Sequence, residues 1–120
     1  MQKNKGFTLV EIIVIISVIA ILVTIVIIAV GNWRKSTAET EVKSDLRNLS
    51  SAMEATRNFG NGYPTSIPAT FSSSPNVTVT YGSGSSASYC VNAVSTADST
   101  VQYYINTATA TGREPQAGTC

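Results

Sequence analysis

The sequence predicts an α+β fold in which one long N-terminal α-helix, first hydrophobic and then amphipathic, packs on a small antiparallel β-sheet. Three observations predict it. Between Ile12 and Val30 the only polar side chains are Ser17 and Thr24. Val42, Leu46, Leu49 and Met53 then recur at helical spacing, and NVTVTY, SYCVNAV and VQYYIN alternate with the period of a strand. A chain of 120 residues has room for one domain, and its apolar residues crowd toward one end.

The first element is the apolar run. About 19 residues in a helix rise roughly 28 Å, close to the hydrocarbon thickness of a bilayer, so the run reads as a membrane span. A cleaved secretory signal shares the basic start, here Lys3 and Lys5, but has a shorter apolar region and a small-residue exit, which GNWRKSTAETEV lacks. A plain signal anchor fits the length and leaves Glu11 unexplained. Lys3, Lys5 and the Met1 amine precede the span, and Arg34 and Lys35 follow it, so charge biases orientation only slightly. Cys90 and Cys120, an even pair in the C-terminal half, read as a disulfide in an exported domain, with a free thiol pair as the alternative. Together these place the N-terminus inside and the head outside.

GFTLVE at Gly6 to Glu11, behind a short basic leader and ahead of an apolar helix, resembles the class III signal of type IV pilins and pseudopilins. The resemblance is close over about the first 30 residues and extends in layout to the whole chain. It implies cleavage by a prepilin peptidase between Gly6 and Phe7, N-methylation of Phe7, and an assembly role for Glu11. A carboxylate within an apolar segment is expensive, about 3 kcal/mol at a helix centre, and normally has a partner. Cutting after Gly6 would expose an ammonium on Phe7, one helical turn before Glu11. Phe7 of an incoming subunit would then neutralise Glu11 of one already packed and set the register between helices. Complementing the helix dipole, worth about 1 kcal/mol or less, is the modest alternative for Glu11. Many relatives carry a proline in the second half of this helix. VTIVIIAVG has none, and Gly31 and Asn32 supply a weaker break.

Beyond the span the helix is expected to continue to about Asn58, with Val42, Leu46, Leu49 and Met53 facing a sheet, Ala38 and Ala52 near that stripe, and Glu41, Lys43, Asp45, Arg47 and Glu54 mainly off it. Gly60, Gly62 and Pro64 end it. From Phe7 to Asn58 such a helix would measure roughly 78 Å. YPTSIPATFSSSP is similar to the connecting loop of pilins, and NGYPTS resembles the end of the long helix in major pseudopilins.

Three strands follow, with Val77, Val79 and Tyr81, then Tyr89, Val91 and Ala93, then Val101, Tyr103 and Ile105 sharing one face. GSGSSAS at Gly82 to Ser88 reads as a loose connection, and Thr96 to Ser99 as a shorter one. The expected segments are a leader at 1–6, a transmembrane and polymerisation half at 7–31, an amphipathic half at 32–58, a loop at 59–75 and a head at 76–120. A disulfide-closed C-terminal region is common in the family, and a Cys90–Cys120 bridge would clamp TGREPQAGTC onto the second strand.

Chemistry has little to work with. The chain has no His, the head's only acids are Asp98 and Glu114, and neither cysteine has a base partner, so no enzyme, metal site or cofactor is expected. This thin acid count also departs from the calcium loop of major secretion pseudopilins. Beyond Arg57 the head offers only Arg113, so direct nucleic-acid binding is not expected. Asn48 and Asn76 lie in N-x-S/T sequons of low specificity. Tyr81, Tyr103 and Tyr104 read first as core and second as contacts between subunits.

The resemblance implies a structural subunit of a type IV pilus-like filament serving adhesion, twitching motility or DNA uptake. Its partners would be other pilin subunits, in a homopolymer or together with minor pilins, the peptidase/methyltransferase, the assembly machinery and, before assembly, membrane lipid. The subunit would sit in the cytoplasmic membrane and then in an extracellular fibre. A pseudopilin of a type II secretion or competence system is the near alternative. A membrane-anchored binding domain that never polymerises is the alternative of another class.

Overall fold

The computed structural model describes residues 3–120, so Met1 and Gln2 of the expected leader lie outside the described residues. Among the described residues are one helix, α1 (Leu9–Phe59), and four strands: β1 (Val77–Gly84), β2 (Tyr89–Ser95), β3 (Gln102–Asn106) and β4 (Gln116–Ala117). The chain divides into two compact units, one reaching to Arg34 and the other Lys35–Cys120.

In the first unit α1 buries nothing: Ile13 is 49% exposed, Leu22 56% and Ile27 67%. The helix nevertheless satisfies its own polar groups. Ser17 Oγ donates to the Ile13 carbonyl (2.7 Å) and Thr24 Oγ1 to the Ala20 carbonyl (2.8 Å), so neither hydroxyl offers an unpaired group to an apolar surrounding. The weak break expected at Gly31 and Asn32 does not appear, and α1 runs through both. One glycine costs a helix about 1 kcal/mol, too little to end one with hydrogen-bonded turns on both sides.

In the second unit the remainder of α1 supplies the stripe that closes the core. Ala38, Val42, Leu46, Leu49 and Met53 form one buried cluster with Tyr63, Val77, Tyr89, Val91, Ala93, Val101 and Ile105, as the strand alternation requires. Val79, Tyr81 and Tyr103 pack at its edge. Asp45, expected off the stripe, is buried (4% exposed). Its Oδ2 accepts from the Ser74 amide (2.7 Å) and its Oδ1 from the Ser74 hydroxyl (2.9 Å). Those bonds compensate the carboxylate for lost water and fasten the connecting loop to α1.

The helix ends one residue later than expected, where the Gly60 amide turns back onto the Thr56 and Arg57 carbonyls (both 3.2 Å). Gly62 then lets the loop touch the sheet. A Cβ there would lie 2.6–2.9 Å from Ser86 atoms, two of them backbone, while the next residue, Tyr63, donates its amide to the Ser86 carbonyl (3.0 Å).

The sheet has order β1-β2-β3-β4 and is antiparallel throughout. Two expectations about it need correcting. First, β1 does not stop before Gly82. The register shifts between Tyr81 and Ser83, and pairing resumes with Ser83 opposite Cys90 and Gly84 opposite Tyr89. Gly82 is the extra residue of a bulge, and a Cβ on it would stand 3.1 Å from Cys120 Sγ and from the Cys90 carbonyl. The true turn is shorter than GSGSSAS suggests, closed by the Ser85 amide on the Ser88 carbonyl (2.7 Å). Second, a fourth strand exists: Gln116 and Ala117 pair with Tyr104 and Tyr103. Two residues carry no readable alternation. Their pairing depends on a chain held in place by Cys120, whose amide donates to Asn92 Oδ1 (2.7 Å) and whose sulfur is bonded to Cys90, with Cα atoms 6.0 Å apart.

Three outcomes follow for the full chain in detergent micelles. Replacing Asp45 by Ala strands the Ser74 amide and should lower the unfolding free energy by about 1–3 kcal/mol, whereas Ser73→Ala, at an exposed position, should change it little. Cys90→Ser with Cys120→Ser reopens a loop of sequence separation 30 and should lower stability by about 3–4 kcal/mol in denaturant melts. Burial, working against the Ser50 hydrogen bond, holds the Tyr89 phenol above its ordinary value of 10.0. The unfolded chain therefore loses that proton first, so Tyr89's contribution is full below pH 10.0 and is lost as pH rises through its raised folded value. Tyr89→Phe should flatten part of the alkaline limb of a pH-stability curve.

Candidate functional site

The expected site residues at the N-terminus lie just before α1 and in its first turn. Gly6 stands in open, non-helical backbone, where an added Cβ would meet nothing within 4 Å. Phe7 follows it and is 79% exposed.

The Glu11 carboxylate faces backward along the chain. Its Oε2 accepts from the Thr8 amide (2.9 Å) and from Thr8 Oγ1 (3.1 Å), and the Glu11 amide donates to Thr8 Oγ1 (3.3 Å). This is a reciprocal capping box, with Thr8 as N-cap and Glu11 three residues on, and it satisfies donors that a helix start leaves open. The partners expected for Glu11 from the sequence are an amine on Phe7 and the helix dipole, and Thr8 is not among them. The signal was present as T-x-x-E immediately ahead of an apolar run. In the uncut chain Phe7 carries an amide nitrogen, and Glu11 is held by Thr8. An ammonium at Phe7 would be a second partner for an acid that already has one.

The second unit contains a polar cluster that the sequence did not mark. Glu54, its side chain 19% exposed, accepts from Arg113 Nη2 (2.8 Å) and from the Tyr63 hydroxyl, and lies 3.9 Å from Arg57 Nη1. Arg57 also covers the Tyr63 ring at 4.8 Å, and Tyr63 meets Tyr89 edge-on at 4.9 Å. The Tyr89 hydroxyl donates to Ser50 (3.0 Å). A shallow polar groove of about 360 Å³ runs alongside, lined by Ser50, Ser51, Glu54, Ala55, Asn58 and Arg113. Its two charged groups pair with each other, so the arrangement ties the segment before β4 to α1. Arg47 and Glu114, 3.4 Å apart and largely exposed, add a weaker tie along the same segment. Partners so distant in sequence give no local pattern to read. Of the tyrosines first read as core, Tyr103 packs at the core edge and receives Lys43 over its ring at 4.7 Å.

By length and composition α1 includes a stretch able to cross a membrane, and it lies near the N-terminus. No curated protein matches the chain. Residues 1–27, which contain Gly6, Phe7, Thr8 and Glu11, match the family model described as the prokaryotic N-terminal methylation motif. That motif is the class III signal peptide of type IV pilins, and the likeness is one of residues 1–27.

Proposed function

We propose that the protein is a structural subunit of a type IV pilus-like filament, cut between Gly6 and Phe7, methylated on Phe7, held in the membrane by the apolar part of α1 and then polymerised through it. The observation that carries this reading is the methylation motif joined directly to an apolar helix whose large side chains are exposed among the described residues. Apolar surface of this extent requires either lipid or other helices. The Thr8 cap adds a physical detail. Two hydrogen bonds meet part of the need of the Glu11 carboxylate before assembly, which lowers the cost of seating the acid at the membrane. The full ionic partner is the Phe7 ammonium of a neighbour, created by cleavage. Prepilin peptidase/methyltransferase, other subunits and the assembly machinery are the partners this reading requires. In this reading the head lies outside the cytoplasmic membrane and later on the fibre, which would serve adhesion, motility or DNA uptake.

A pseudopilin of a secretion or competence system shares every step up to polymerisation. The NGYPTS stretch favours it, and the scarcity of acids in the head argues against its calcium-loaded form.

N-terminal sequencing of mature protein should find methylated Phe7 first, and a chain still starting at Met1 would overturn the proposal. Glu11→Ala should leave the protein in the membrane fraction and remove it from sheared surface material. Breaking a buried charge pair costs about 3–5 kcal/mol, a hundredfold or more in association. Fibres in normal amount from that variant would refute the assembly role. Antibody against the head that labels long surface fibres supports the pilus over the pseudopilin.

A further inference from the structure

We propose that Trp33 and Arg34 form an interfacial anchor on phospholipid headgroups, with the indole at the glycerol level and the guanidinium on a lipid phosphate, fixing the depth of α1 in the bilayer. The inference rests on the membrane reading above and concerns how the monomer is seated before it assembles.

The apolar run ends at Val30, and after Gly31 and Asn32 the helix presents Trp33, the only tryptophan of the chain, followed by Arg34. Trp33 is 70% exposed, and Arg34 is exposed as well. Side chains on a helix lean toward its N-terminus, here toward the lipid, which suits an indole whose apolar body enters the membrane while its N–H stays at the polar boundary. A guanidinium beside it pairs with phosphate in forked geometry.

The spacing makes the anchor consequential. Glu11 and Trp33 lie 22 positions apart on one unbroken helix, a rise of about 33 Å against a hydrocarbon core of about 30 Å. With Trp33 at one interface, Glu11 reaches the other rather than the bilayer centre. The carboxylate and its Thr8 cap then sit at the depth where a charge is least costly. Sliding the helix either way would draw Arg34 or Glu11 into hydrocarbon.

Because Trp33 is the sole tryptophan, its fluorescence reports this position alone. The full chain is reconstituted into phosphatidylcholine vesicles containing lipids brominated either at upper acyl carbons or near the terminal methyl. The expected result is flotation with the vesicles, emission blue-shifted from that of the chain in denaturant, and stronger quenching by the shallow bromines. Arg34→Glu, at an exposed position that keeps the fold, should still float and should raise quenching by aqueous acrylamide. Floating protein quenched most by the deep bromines would overturn the anchor. So would floating protein whose Trp33 is as open to acrylamide as in the unfolded chain, or Arg34→Glu without effect. Failure to float would instead overturn the membrane reading itself, and the anchor with it.

Discussion

One helix has to satisfy two surroundings, and this constraint governs the rest of the molecule. Through its first unit α1 is apolar, and among the described residues its large apolar side chains are exposed. From Ala38 onward the same element is amphipathic and closes a small protein core. An isolated helix in water gains most of its stability from tertiary packing, so the two parts are stabilised by different means. The second part leans on the sheet. In the proposed membrane setting the first would have backbone hydrogen bonds with no competing water, and there its β-branched content would be no obstacle.

Under that constraint the polar residues of the apolar part are few, and each is satisfied locally. Ser17 and Thr24 return their protons to carbonyls one turn back. Glu11 folds onto Thr8 at the one place where a helix offers unpaired amides. A carboxylate in that position serves two ends in turn: it caps its own helix, and in the proposed filament it receives a neighbour's ammonium. The capping bonds set the strength that a neighbour's ammonium would have to exceed or share, so in the proposed filament assembly would add an ion pair to an acid that is already hydrogen-bonded.

The second unit meets a different difficulty, a head too small to bury much apolar area. It compensates with ties between distant segments. Asp45 holds the connecting loop at Ser74, Glu54 gathers Tyr63 and Arg113, and the Cys90–Cys120 bond draws the chain's last residue across to β2. The bulge at Gly82 leaves room beside that bond, so the irregularity of β1 and the position of the disulfide belong to one local solution.

The long helix, the stripe from Val42 to Met53, the faces of the main strands and the GFTLVE signal were legible in the sequence because each is written in neighbouring residues at a fixed period or in a fixed order. The capping box is equally local, a T-x-x-E pattern immediately ahead of the apolar run. What only the tertiary structure decided was pairing between segments far apart: burial of Asp45 against Ser74, the extension of β1 through a glycine bulge, and the short β4. Such contacts depend on where folding brings the chain back upon itself. A carboxylate one position off an apolar stripe reads as solvated until a loop with two donors is laid over it.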